Sequence, residues 1–182
     1  MRGSFLVPHV LRQSYKREFG ESHRRQDEQA RVIVSIDAWD GNEWEAHVLR
    51  LLQDQYGHEN VQKVPAKHKG DCGLDYFCLN KLVVYQCYAV EEPVCVADRA
   101  TKQKSKITTD IGKFCDAAKG AAEMFAGYGI KRWILAVPLN DSKEVVQHAL
   151  KKSGEVIAKK LSYVDPDFQI LVHDKDDFDL AS

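Results

Sequence analysis

An α/β fold with a mixed central sheet and helices on both faces is the architecture this sequence predicts, on three observations. Two apolar, aromatic-rich runs within 70–89 meet at Asn80-Lys81, the pattern of a β-hairpin with a two-residue loop. Beyond it, strand-like and helix-like stretches alternate as β-α-β-α-β, which places helices against a partly parallel sheet. The run 132–137 is continuously apolar after its first residue, as expected of a strand covered on both sides.

The totals set the outer bounds. A chain of 182 residues with 44% hydrophobic and 29% charged content is long enough for one domain with a proper core. The net charge of −1 excludes a general polyanion binder, so a nucleic-acid partner has to meet a local patch. No apolar run approaches membrane-spanning length, and no secretory h-region is visible, so no membrane association is expected. The five cysteines are odd in number and include no C-x-x-C pair, which points to a reduced, cytoplasmic setting without a zinc site.

Residues 1–40 read as a charged arm or extension ahead of a domain at 41–182. The arm is dense in Arg, Lys, Glu and Gln between Ser14 and Arg31, and its basic residues either sit on a solvated helix or touch phosphates. A short strand is expected at 31–36. A helix then starts at Asn42 as N-cap, carries Trp44, Val48, Leu51, Leu52 and Tyr56 at helical spacing, and stops at Gly57. Glu45 shares the inward face with Val48 and Leu52. It closes a capping box with Asn42, belongs to a site, or does both, because an acid on that face needs a partner.

Strand 61–64 ends at Pro65, and Lys63 with Lys67, His68 and Lys69 makes a charge cluster at the entrance to the hairpin. They form either a solvated loop or phosphate contacts. After a linker at 90–96, a long helix is expected from about 98 to 126, with Ile107, Ile111, Phe114, Cys115, Ala118, Ala122 and Phe125 as its apolar stripe. Lys102, Lys106, Asp110 and Lys113 trace a second, polar stripe in which Asp110 pairs with the lysines on either side. Strand 132–137 leads to a helix over 142–161 with the stripe Val146, Ala149, Leu150, Ile157 and Leu161. A last strand spans 168–172, and the acidic tail 174–179 is expected to fray.

The hairpin holds the sharpest functional signal. With the loop at 80–81, facing residues have numbers that sum to 161, so Asp75 stands opposite Gln86 and their side chains share a face. Tyr88 lies on that face too. Cys87 points the other way and reads as core, not as a nucleophile. Asp71 reads as a turn residue.

Gly70-x-x-Gly73-x-Asp75, followed on the next strand by Gln86-Cys87-Tyr88, resembles the core motif of the PD-(D/E)XK, or restriction-endonuclease-like, superfamily. The likeness is to its Mrr-type branch, where Gln often replaces the middle acid, and it extends by element order over about 42–172. Tyr88 stands where the family has a lysine. The resemblance implies a restriction-endonuclease-like core and a Mg²⁺ (or Mn²⁺) ion held by Asp75, the Gln86 side-chain carbonyl and the Cys87 backbone carbonyl. Glu45 completes the set. A divalent ion takes oxygen ligands and keeps several waters, so this small set suffices. With Tyr88 uncharged, the missing cation falls to Lys106 or Lys113, which join Asp75 and Gln86 as catalytic candidates. Lys67, Lys69, Lys102 and Gln103 are the expected nucleic-acid contacts.

The expected function is therefore Mg-dependent DNA endonuclease activity, which the resemblance associates with bacterial defence against foreign DNA. Further domains, partner subunits and homo-oligomerisation stay open. The rival expectation is an inactive nuclease-fold module that binds nucleic acid or a partner protein.

Overall fold

The computed structural model describes residues 38–65 and 72–178. The arm and strand expected before residue 37, and Lys67, His68, Lys69 and Asp71, lie outside the described residues.

The first helix, α1, spans Gly41–Tyr56 and buries Trp44, Val48 and Leu52 completely. Each such side chain withdrawn from water contributes about 1.5–3 kcal/mol. Its cap corrects the expectation. Asp40, not Asn42, is the N-cap, its Oδ1 accepting from the amides of Asn42 (2.7 Å) and Glu43 (2.9 Å). A carboxylate does this at least as well as an amide and also complements the helix dipole. Gly57 ends the helix at φ 86°, as expected.

Strands β1 (Gln62–Lys63), β2 (Tyr76–Cys78) and β3 (Val83–Cys87) form an antiparallel meander. The pairs Tyr76–Tyr85, Phe77–Val84 and Cys78–Val83 give the expected register. The loop is longer than expected: 79–82 connect the strands, with Lys81 N donating to the Cys78 carbonyl and Leu82 at φ 56°. Lengthening a loop by one residue at each end leaves facing numbers with the same sum, so the register survives.

Helix α2 (Val96–Phe114) follows, then a 3₁₀ turn at Ala117–Lys119 and the single-turn α3 (Ala121–Met124). The single helix expected to 126 is thus broken. Asp116 caps the 3₁₀ turn through its side chain, and Gly120 takes φ 86°, a left-handed value that no continuing helix contains. Phe114 and Phe125, on either side of the break, are both buried.

Strand β4 (Ile130–Ala136) runs parallel to β3, and β5 (Val164–His173) runs parallel to β4, giving the sheet order β1-β2-β3-β4-β5. Between them lies α4 (Lys143–Ala158), capped by Ser142. Its inward stripe is Val145, Ala149, Ser153 and Val156, while Val146, Leu150 and Ile157 face outward. The expected stripe was rotated because Ser153 does not look like a core residue. Its hydroxyl donates to the Ala149 carbonyl and accepts from Ile170 N of β5, so its polarity is satisfied inside.

Two cores result. Trp44, Val48, Leu52, Tyr76, Tyr85, Cys87, Ile134 and Ala136 pack between the sheet and α1. On the other face Val84, Trp133, Leu135 and Ile170 pack against α2 and α4. The α/β class and the mixed sheet with helices on both faces are as expected. All five cysteines are free. Among the described residues no helix is long and apolar enough to cross a membrane.

The acidic tail also departs from expectation: 175–178 form a helical turn, α5, and Phe178 is buried against the α1-side core. Its ring meets His173 edge-on at 5.8 Å. Burial holds the His173 imidazole below its usual range, outweighing Asp177 and Asp174. Because the folded-state value is the lower one, the unfolded chain takes up the proton first. Stability is then full above about pH 6.5 and declines as pH falls. Thermal melts at about pH 7.5 and about 5.5 should show a smaller loss for His173→Gln than for the unaltered chain.

Candidate functional site

Asp75 precedes β2 and meets the far end of β3. Its Oδ2 accepts from Gln86 Nε2 and from Cys87 N, both at 2.7 Å. The second bond puts the carboxylate where a strand carbonyl would continue the ladder. Gln86 is buried, and its Nε2 also reaches the Cys87 carbonyl at 3.2 Å. Both neighbours are acceptors, which fixes the amide orientation and turns Oε1 away from them. Among the described residues that Oε1 is buried with no donor. An unmet buried carbonyl is costly, so something that donates or carries positive charge fits there.

Two other groups approach from the α1 side. Lys63 Nζ lies 2.7 Å from Glu45 Oε1, and the Tyr76 hydroxyl is 3.1 Å from the Glu45 carbonyl and 3.3 Å from Oε1. The Lys63 ammonium is held above its ordinary pKa chiefly by the bond to Glu45, with Asp75 adding to the effect. The Tyr76 hydroxyl is pushed strongly upward by burial and then by Glu45, so it stays protonated. Lys63, expected in a charge cluster at the hairpin entrance, stands on β1 beside Tyr76 and is ion-paired to Glu45.

The candidates expected from sequence separate into groups. Asp75, Gln86 and the Cys87 backbone come together. Glu45 forms no capping box with Asn42; it stands with Lys63 and Tyr76. The Cys87 thiol packs on the α1 side, opposite the core that holds Val84, and burial followed by the Asp75 and Glu45 charges raises its pKa well above normal. A thiol so protonated is no nucleophile.

On α2, Lys106 and Lys113 each place an ammonium 2.8 Å from an oxygen of Asp110. The expected pairs form, yet Asp110 is fully buried, not part of a solvated stripe. Lys106 also lies 5.6 Å above the Tyr88 ring. Lys102 is exposed nearby. Gln103, expected at a nucleic-acid surface, is instead buried and donates to the Leu139 carbonyl at 2.9 Å.

Gly73 links α2 to the hairpin. At φ 74° it packs so closely on the Asp110 backbone that a Cβ there would overlap the carbonyl oxygen and lie 2.9 Å from its carbon. Asp75 is two residues further on, so the strand start is seated directly on α2. Among the described residues no three His, Cys, Asp or Glu side chains gather as a ready metal cluster. Compared with known proteins, the chain matches no family model, no curated protein and no solved structure.

Proposed function

We propose that this chain is a Mg²⁺-dependent DNA endonuclease domain with a restriction-endonuclease-like core, centred on Asp75 and Gln86. The observation that carries the reading is the 2.7 Å Asp75–Gln86 contact beside a buried, unmet Gln86 Oε1. The helix, three-stranded meander, helix and parallel strand also follow the element order of that core.

The residues fit a hard cation of small protein ligand number. Asp75 and the Cys87 carbonyl offer only oxygens, and Mg²⁺ keeps much of its water shell. Gln86 now donates to both through Nε2, so its amide would have to turn over for Oε1 to join them. Bound there, the ion would neutralise charge on a scissile phosphate. Asp75 orients Gln86 and supplies the negative charge of the site. Glu45 holds Lys63 on the edge strand β1, within reach of the Asp75 charge, and Lys63 takes the role of the motif lysine that Tyr88 cannot fill.

The test pairs plasmid DNA and Mg²⁺ or Mn²⁺ with the unaltered chain and with Asp75→Asn. Asparagine keeps an acceptor for the Cys87 amide but removes the charge. Metal-dependent cutting should fall by at least about a hundredfold while the melting temperature moves by only a few degrees. Equal cutting by both proteins, or none by either, defeats the reading. A second reading is a non-catalytic module that binds nucleic acid or a partner. It is favoured by Tyr88 in the lysine position and by the engagement of Lys106 and Lys113 with Asp110. Binding without cutting would select it.

A further inference from the structure

The outer surface of α2 beside Tyr88 carries a depression of about 290 Å³. Its walls include Tyr88, Lys102, Ser105, Lys106, Thr109 and Lys113, and Asp110 also lines it. We propose that this depression is a phosphate seat that grips the nucleic-acid strand next to the Asp75–Gln86 pair. The inference rests on the nucleic-acid part of the function proposed above and reassigns Lys106 and Lys113 from catalysis to anchoring.

Charge is the first argument. Among the described residues of its wall, Lys102, Lys106 and Lys113 stand against a single carboxylate, Asp110, on a chain whose net charge is −1. Such local excess attracts phosphate whatever the net charge of the chain. Preorganisation is the second. Asp110 is sealed from water, with an oxygen 2.8 Å from each of two ammoniums. A buried carboxylate is an expensive way to stabilise a fold, but it fixes the position of the flexible lysines it binds. An ammonium has three donors, so Lys106 can bind Asp110 and still give a hydrogen bond outward.

The remaining lining is of matching chemistry. Ser105 and Thr109, one helical turn apart and exposed, present hydroxyls that donate to phosphate oxygens. The Tyr88 ring is partly buried against the core, and its exposed part offers a stacking surface for a base. Location is the final argument. Tyr88 is two residues beyond Gln86, and Asp110 abuts Gly73, two residues before Asp75. A strand held in the depression therefore runs past the candidate site.

The experiment measures binding of a fluorescent single-stranded DNA oligonucleotide to the full chain in Ca²⁺, across a range of salt concentrations. The proteins are the unaltered chain, Lys102→Glu and Lys106→Gln, with folding checked by thermal melts. Lys102→Glu guards against a folding artefact, because Lys102 is exposed on the helix surface. Each lysine variant should weaken binding by about tenfold and lower the salt slope by about one. Oligonucleotides with a 5′-phosphate or a 5′-hydroxyl show whether the seat takes a strand end or an internal phosphodiester. A preference for the phosphorylated end identifies the former, and equal binding the latter. Unchanged affinity and slope in both lysine variants overturn the seat, as does failure of the unaltered chain to bind either oligonucleotide. If the lysine effects appear but no protein cuts DNA, the seat stands and the nuclease reading fails.

Discussion

Gly73→Ala should destabilise this protein more than the same change at any other described glycine, lowering its stability by about 3–5 kcal/mol. Two penalties act together. Gly73 has φ 74°, where an L-residue is strained by about 1–3 kcal/mol. Its added Cβ would also overlap the Asp110 carbonyl oxygen, which belongs to the α2 backbone and cannot swing aside as a side chain would. The hairpin entry must then lift off the helix. Trp133, whose Nε1 donates to the Gly73 carbonyl at 3.3 Å, would lose a partner inside the larger core. Urea melts followed by tryptophan fluorescence measure the effect. Gly112→Ala, a site where a Cβ meets nothing within 4 Å, is the control and should be neutral or slightly stabilising. Comparable stability of the Gly73 variant and the control would show that the close approach is not a constraint.

The same contact explains what was legible in the sequence. The hairpin register could be read because it depends on local pairing, and two apolar runs around a polar dipeptide leave little choice. Asp75 and Gln86 were therefore placed together before any tertiary information. What failed was decided by competition between neighbours of similar chemistry. Asp40 and Asn42 are both good caps, and only the chain entering the helix chooses between them. Val145 and Val146 offer two apolar stripes on α4, and the choice turns on whether Ser153 can be buried. It can, because an edge-strand amide on β5 needs its hydroxyl. The break after Phe114 was missed because apolar spacing continues across it, while Asp116 and Gly120 interrupt the backbone.

The site shows the same division. The pairing of Asp75 with Gln86 follows from register, but the placing of Lys63 beside Tyr76 and Glu45 follows from which strand joins the hairpin edge. Asp75 also does two things at once: it completes the backbone pairing of β3 and brings charge to Gln86. The structural bond holds the carboxylate at a fixed angle, which a positioned ligand requires. For this reason asparagine, not alanine, is the informative substitution there.

Arg99→Ala is the other change expected to be severe, at about 3 kcal/mol or more. Arg99 lies in the first turn of α2 and is 3% exposed. Its Nε donates to Glu92 Oε1 at 2.8 Å, one terminal nitrogen pairs with Asp141, and the other reaches the Val94 carbonyl. The guanidinium thus ties the loop after Tyr88 to the loop after β4. Burial alone would raise the Glu92 pKa, but the bond to Arg99 and the Val94 amide outweigh it and hold the carboxyl below its usual range. Removing Arg99 leaves two carboxylates facing each other with their cation gone. Arg99→Lys keeps the charge but cannot span three acceptors with one planar fork, so it should recover only part of the loss. The pH dependence identifies the cause. The Glu92 contribution is present above the unfolded carboxyl pKa of about 4.3 and disappears as pH falls through the lower folded value. The gap between Arg99→Ala and the unaltered chain in denaturant melts should therefore be full near neutral pH and shrink in acid. A gap that stays constant with pH would mean that Arg99 acts by packing its alkyl stem and not by charge.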